Sequence, residues 1–348
     1  MIKKTRVQIN TSVAVYVKVF FSFLFGRGRK YEEIFKNNLK EFLHTDDLIL
    51  TSQGRVAAYN IFKVIISNDK KEIIISPYTL TEVVKTIIYA NAIPIFVDLD
   101  LNTGLPLEND LDKKINERTA GIVITHLYSN KEDIYNFKKK YEKKINIIED
   151  VAINFGAKIN DNKYLGTIFD YGFYSFGVMK NLCTFHGGAI ICKNKLKFDQ
   201  INKNLKLNIN YPFIDSIKLL FFCIIIDFFY SKYVYKFFTN FFLKLTIKKL
   251  DKLMYPGVYP RIYKEKPNHY NFKFQNNFAI AGIENLKNIK TKINNRINNV
   301  KLYEKYLNKN VKINNYDYYN INSFLEYPIL LKKNKNKFLS KVLLNKGY

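Results

Sequence analysis

From residue 48 to residue 150 the chain alternates short β-branched runs with longer amphipathic stretches. This rhythm restricts the fold more than any other feature. LILT opens it, and a turn at Ser52-Gln53-Gly54 leads into GRVAAYNIFKVI, which has helical spacing. KEIIIS, IPIFVDLD, AGIVITHLY and INIIED repeat the strand pattern. Between them PYTLTEVVKTIIYAN, LENDLDKKI and KEDIYNFKKKYEKK read as helices. Strands without a polar face must be covered on both sides, so a mostly parallel central sheet flanked by helices is predicted, an α/β fold. Such sheets take ligands at the carboxyl ends of their strands. Gly54, Tyr78, His126, Asp150 and Ser175 all fall at predicted strand ends.

The stretch from Ile147 to Gly188 holds the densest chemistry. Its apolar start closes on Glu149-Asp150, and its far end carries Ser175, Lys180 and a Gly-Gly turn. A lysine amine can bond a carbonyl carbon. A carboxylate can keep a pyridine nitrogen protonated, so that the ring serves as an electron sink. Backbone amides and hydroxyls at a strand–helix turn can hold a phosphate. Lys180, Asp150, and Ser175 with the Gly54 turn offer these three functions, which are the demands of pyridoxal 5'-phosphate. Each residue also has an ordinary alternative. Lys180 is one lysine among many, Asp150 could cap a following helix, and many strand–turn–helix units bind nothing.

The remaining segments set the domain plan. Residues 1–44 read as an N-terminal helical segment. Within it VAVYVKVFFSFLF (13–25) is apolar apart from Lys18. It is shorter than the roughly 20 residues that span a bilayer, so a buried or interfacial helix is expected. YEEIFKNNLKEFL follows, with Ile34, Leu39 and Phe42 on one face and Phe35 beside them. Residues 45–260 read as a large α/β domain with an aromatic helical insertion at about 213–247. That insertion is predicted to pack on a partner subunit or to rest on a membrane surface. After a turn-rich connector, MYPGVYPR, residues 261–348 read as a small α+β domain, incomplete at its end. There a long helical stretch (272–308) precedes SFLEYPILL as a strand, then a basic turn and a helix.

Composition narrows the partners. The chain carries 56 Lys+Arg against 30 Asp+Glu, a net +26. Such a charge can serve nucleic acid, membrane surfaces or anionic small molecules. The lysines are dispersed, with no basic stripe interleaved with aromatics, so nucleic-acid binding is not expected. Three cysteines without paired spacing point to a reducing, cytoplasmic setting. Four histidines without ligand spacing give no metal site.

In series, SQGRVAAY, SPYTLTEVVKTIIYANAIPIFVDLD, GIVITHLYS, IIEDVAINFGA, YLGTIFDYGFYSFGVMKN and GGAI resemble the DegT/DnrJ/EryC1/StrS family over residues 45–310. These are fold-type I pyridoxal-phosphate aminotransferases acting on nucleotide-linked keto-sugars. The resemblance implies that Lys180 bonds the cofactor aldehyde and that Asp150 faces its pyridine nitrogen. It implies that Ser175 and Gly54-Arg55 hold the phosphate. It also implies a homodimer in which Asn271 reaches the neighbouring subunit's phosphate. An amino donor such as glutamate and an amino-sugar product for surface polysaccharide follow from the same likeness.

Several positions depart from the family's pattern. Leu80 stands where an aromatic ring often stacks on the cofactor. Ile153 stands where Gln or His lies near the phenolic oxygen, and one hydrogen bond is lost. His186 replaces a frequent Glu and, with Tyr78, is a candidate substrate contact. Lys273 replaces Arg in the motif that holds Asn271, keeping the charge and losing the planar fork. Two other readings share the fold. One is a non-catalytic protein on a membrane surface, permitted by Leu80 and Ile153. The other is a related sugar dehydratase, a branch that typically lacks the lysine.

Overall fold

A computed structural model describes residues 9, 11–26, 28–239, 265–307, 312, 322–331 and 339. The connector at 254–261, the end of the aromatic insertion after 239 and, apart from residue 339, the basic turn and helix predicted beyond 331 lie outside these residues.

Among the described residues, nine strands and ten longer helices carry the fold. In chain order they are α1 (Val13–Phe25), α2 (Gly28–Leu43), β1 (Leu48–Thr51), α3 (Gly54–Ile65), β2 (Glu72–Ile75), α4 (Thr81–Tyr89) and β3 (Ile93–Phe96). Then come α5 (Glu108–Lys114), β4 (Thr119–Thr125), α6 (Lys131–Tyr141), β5 (Asn146–Asp150), β6 (Lys158–Asn160), β7 (Lys163–Tyr164), β8 (Tyr171–Ser175) and β9 (Gly188–Cys192). The last are α7 (Lys195–Lys206), α8 (Phe213–Phe229), α9 (Ala279–Lys287) and α10 (Ile289–Tyr306).

Seven strands form one sheet in the order β1-β9-β8-β5-β4-β2-β3. Only β9 runs against its neighbours, so the sheet is mostly parallel, as the apolar strands predict. Successive residues alternate between two cores. Leu48, Leu50, Ile74, Ile122, Ile124 and Ile147 face the side covered by α2, α5 and α6. Ile49, Ile73, Ile75, Val123 and Ile148 face α3, α4 and α7. Helix α3 is enclosed almost throughout, from Val56 to Phe62. Asn130 starts α6 with a capping box, accepting from the Asp133 N–H at 2.8 Å.

Two further features complete the sheet. Among the described residues strand β3 is an outer edge, and it contains Pro94. Its Ile93 N–H and the Val97 N–H just past it donate inward, to the carbonyls of Lys71 and Ile75. A short β6–β7 hairpin turns at Asp161-Asn162.

Some expected details differ. In α2 the residues that reach the core are Phe35, Leu39 and Leu43, spaced by one turn plus a fraction, whereas Ile34 lies at the surface. The stretch 272–308 is two helices, α9 and α10, broken at Asn288. Among the described residues, 322–331 pair in no strand: Phe324 has φ 48, outside the extended region, and Asn322 and Ser323 bond to Asn154 instead.

The third core joins α1, α8 and α9 with Cys183 and Phe185. It covers one side of each outer helix. Val15, Tyr16 and Val19 of α1 are buried, and so are Leu220 and Cys223 of α8. Phe20, Phe21, Leu24 and Phe25 of α1, and Phe221, Phe222, Ile225 and Phe228 of α8, remain exposed. A groove of about 780 Å³ runs between the two helices, lined mainly by apolar side chains. Among the described residues no helix is long and apolar enough to cross a membrane.

Candidate active site

Strand register brings the candidate residues to one edge of the sheet. Thr51 of β1 lies opposite Gly188 of β9, and Gly188 lies opposite Ser175 of β8. Beside them Asp150 of β5 lies opposite Phe173 of β8 and Thr125 of β4. The turn after β1 presses directly on this edge. A Cβ placed on Gly54 would stand 2.7 Å from the Ser175 Cβ and 3.2 Å from its Oγ. One placed on Gly188 would stand 2.7 Å from the Gly54 nitrogen. Only glycines permit that approach, so the start of α3 sits within reach of the Ser175 hydroxyl. The first N–H groups of a helix have no acceptor within it, and α3 opens without a side-chain cap. Ser52 Oγ and Gln53 Oε1, in the same turn, are buried without a partner.

Asp150 and Lys180 form the second half of the cluster. Asp150 is buried, with one carboxylate oxygen accepting from the Ala152 N–H at 3.0 Å. Its backbone carbonyl accepts from the His126 N–H at 3.0 Å. Burial pushes its pKa up, while the Ala152 N–H, Lys180 and His126 pull it back. Lys180 is shifted the opposite way. Burial lowers its pKa, against the pull of Asp150 and Glu326. The amine therefore loses its proton more readily than an exposed lysine. The residue before it, Met179, has φ 72, in the left-handed region rare for side-chain-bearing residues.

Behind Asp150, Glu149 is fully buried and fully paired. It accepts from His126 Nε2 at 2.9 Å and from the backbone N–H groups of Gly166, Ile168 and Phe169. His126 Nδ1 is buried without a partner. Glu149 thus fixes the ring that stands beside Asp150.

The other predicted residues are more scattered. Arg55 follows Gly54 on α3, with His186 and His269 in its electrostatic reach. Burial, with the nearby Arg55 guanidinium as a second cause, pushes both histidines down to about 4. His186 Nδ1 meets the Tyr211 hydroxyl at 2.8 Å. Ile153 is half-buried in the turn after Asp150. Tyr78 and Leu80 are exposed ahead of α4. Asn271 is also exposed, and its side-chain oxygen accepts from Lys266 Nζ at 2.8 Å. No described contact joins Asn271 to Ser175 or Gly54 of its own protomer.

Sequence reasoning passes over Asn154, Asn181 and Ser323, which lie buried beside Asp150 and Lys180. Polar letters in a loop read as solvent-facing, and no spacing marks them out. It also leaves Glu149 without a role, although its place beside Asp150 is visible.

This doubly covered, mostly parallel sheet, with a lysine and a carboxylate at its strand ends, is the fold-type I architecture of pyridoxal-phosphate-dependent transferases. The chain belongs to the DegT/DnrJ/EryC1/StrS aminotransferase family, which matches residues 17–207. It is similar to the GDP-perosamine synthase of Escherichia coli O157:H7, 30% identical over 171 residues, or 49% of this chain and 47% of that one. It is also similar to the dTDP-4-amino-4,6-dideoxy-D-glucose transaminase of Shigella dysenteriae, 29% identical over 194 residues, covering 55% and 50%. The matched region thus spans about half the length of these relatives.

Solved structures share the fold at lower identity. PseC of Helicobacter pylori, an aminotransferase involved in the biosynthesis of pseudoaminic acid, aligns at TM-score 0.65 and 18% identity, over 91% of this chain and 75% of its own. The E. coli GDP-4-keto-6-deoxy-D-mannose-3-dehydratase, solved with bound hydrated pyridoxal phosphate, aligns at 0.71 and 15%, over 100% and 84%.

Proposed function

We propose that this chain is a pyridoxal-phosphate-dependent aminotransferase. In this reading it passes an amino group, from glutamate, to a nucleotide-linked keto-sugar for amino-sugar or surface-polysaccharide synthesis. The observation that carries the reading is buried Asp150 with half-buried Lys180 in its electrostatic reach, beside the Gly54–Ser175 contact. The name of the Shigella dysenteriae relative, a dTDP-4-amino-4,6-dideoxy-D-glucose transaminase, supports the substrate class.

The residues present fit the cofactor. The buried Ser52 hydroxyl has no protein partner among the described residues and can donate to a phosphate, and Gly54 lets the first turn of α3 stand directly against Ser175. Gly54, Arg55 and Ser175 would hold the phosphate, with the N–H groups of the first turn of α3. Asp150 would face the pyridine nitrogen, and Leu80 and Ile153 would flank the ring. When bound, pyridoxal phosphate supplies an electron sink for the carbon that loses its proton.

The protein's own contribution is positional and acid–base. Burial keeps the Lys180 amine easy to deprotonate, so its Nζ can take a proton from the donor's carbon and return one to the acceptor. Asp150 would offset positive charge at the ring nitrogen, and the His126 N–H, in a residue whose ring Glu149 fixes, bonds the Asp150 carbonyl. Tyr78 and His186 would contact the sugar nucleotide.

The same reading takes residues 1–44 as an N-terminal helical segment, 45–260 as the cofactor-binding domain and 261–348 as the small domain. It makes the enzyme a homodimer, because Asn271 is exposed and, by the family resemblance, reaches the phosphate of a second copy. A specific observation favours a further contact. The uncovered faces of α1 and α8 are apolar over several turns, in a chain of net charge +26. Such helices suit the anionic inner face of a membrane, which would give a cytoplasmic, peripherally attached protein.

Purified protein should show a visible absorption band after incubation with pyridoxal phosphate, and glutamate should change it. Lys180→Ala should lose both the response and transamination. A protein that takes up no cofactor at saturating concentration ends this reading.

A further inference from the structure

We propose that Asn154, Asn181 and Ser323 form a clamp that positions Lys180 against Asp150, so that residues 322–326 are part of the active site. The proposal rests on Lys180 and Asp150 as the reacting pair.

Three loops leave the strand ends that carry the site: 126–130 after β4, 151–157 after β5, and 176–187 after β8. No ladder holds such loops to one another. A buried network does it instead, and Ser323 is its node. The Ser323 N–H donates to Asn154 Oδ1 at 3.0 Å. The Ser323 hydroxyl accepts from Asn181 Nδ2 and also meets Asn154 Oδ1 at 3.3 Å. Asn154 Nδ2 reaches back to the His126 carbonyl at 2.7 Å and to Asn322 Oδ1 at 3.1 Å. Asn181 Nδ2 also donates to the Phe155 carbonyl at 3.2 Å, and its side-chain oxygen accepts from Arg296 of α10. Asn322 Nδ2 donates to the Ser129 carbonyl at 3.4 Å. Asn154, Asn181, Asn322 and Ser323 are all buried.

Burying four polar side chains is a costly way to fill space, unless every member is paired and the arrangement is unique. Here they are paired, and the unique arrangement is that of the two reacting residues. Asn181 is the residue after Lys180. Asn154 ties the turn after Asp150 to the loop of His126, whose N–H meets the Asp150 carbonyl. Met179, in its left-handed conformation, precedes Lys180, so the lysine sits between an unusual backbone and a clamped neighbour. The same segment carries Glu326 into the electrostatic range of Lys180. The charged groups facing the amine are therefore Asp150, from β5, and Glu326, from the clamped segment.

The test uses the full chain without cofactor. Lysines are acylated with acetic anhydride across pH 6 to 10, and mass spectrometry gives the rate at Lys180 against exposed lysines. Ser323→Ala removes one hydroxyl, and Asn181→Ala removes the longer arm. If either fails to fold, Asn154→Ser replaces it. The expected result is a displaced Lys180 pH profile, with pyridoxal phosphate binding weakened by about tenfold. Conservative Ser323→Thr should restore part of both. An unchanged Lys180 profile beside a lowered melting temperature would show the network to be structural only and overturn the proposal. Labelling of the wild-type chain is read whether or not it binds cofactor, so failure of the aminotransferase reading stays distinguishable.

Discussion

The strand-end cluster and the α1–α8 face follow opposite rules. Around Asp150 and Lys180, most buried polar side chains are matched to one another, with Ser52 Oγ, Gln53 Oε1 and His126 Nδ1 among the exceptions. Glu149 accepts several bonds, and Ser323 joins two asparagines. On α1 and α8, aromatic side chains are left outside, with Phe221 at 50% and Phe228 at 60% exposure. Hydropathy alone would place the two regions the other way round. The difference shows where each region's constraint comes from. A buried polar group must meet a partner in its own fold, whereas an uncovered apolar group needs one outside it.

Substitutions can break this contrast, and the strongest should strike the cluster. Lys180→Ala is expected to lower transamination about a thousandfold or more, measured with glutamate and a keto-sugar nucleotide. Asp150→Asn keeps the shape and removes the charge, and a fall of about a hundredfold is expected in the same assay. Unaltered turnover in either variant would remove these residues from the chemistry.

Gly54→Ala acts through space. Its new methyl meets Ser175 at 2.7 Å, so the turn must shift. Stability should drop by about 1–3 kcal/mol in urea unfolding, with faster cofactor loss on dialysis.

Acid should expose the burial of the histidines. His186 and His269 are held near 4 in the folded chain, below the ordinary 6.5. The unfolded chain then binds more protons between those values. The stability that neutral histidine contributes is present above pH 6.5 and is lost as pH falls toward 4. His186→Gln should flatten that slope, followed by melting temperature against pH.

The smallest effect on stability is expected at the other region. Phe221→Ser with Phe228→Ser should change unfolding by no more than about 0.5 kcal/mol per site, yet should abolish co-sedimentation with phosphatidylglycerol vesicles. If the wild type does not sediment with them, and the double variant instead changes oligomeric state, a second copy covers that face.

How far the sequence can be read follows from the same contrast. The sheet is legible because Ile73–Ile75 and Ile147–Ile148 announce strands covered on both faces. The Gly54 turn, Asp150, Ser175 and Lys180 are legible because strand ends and motif order coincide. Ser323 is not, because it lies 169 residues from Asn154 and contact across that interval leaves no local pattern. Residues 323–331 resemble a strand in sequence because Phe324 and Ile329 look strand-like, but Phe324 has φ 48 and Ser323 turns to Asn154 and Asn181. The spacing of α2 puts Ile34 in the core where Leu43 belongs, a shift of phase within an otherwise correct helix.

Pro94 has a consequence for life in a crowded solution. Because the N–H groups of Ile93 and Val97 point inward, the position after Ile93 faces outward from the sheet, and proline places no donor there. Ile93 and Phe96 are half-exposed on that strand, which would otherwise offer a sticky template to any extended chain. The missing hydrogen interrupts such a ladder where it would start. Pro94→Val should leave the fold intact and raise the tendency of the protein to form β-rich aggregates on storage.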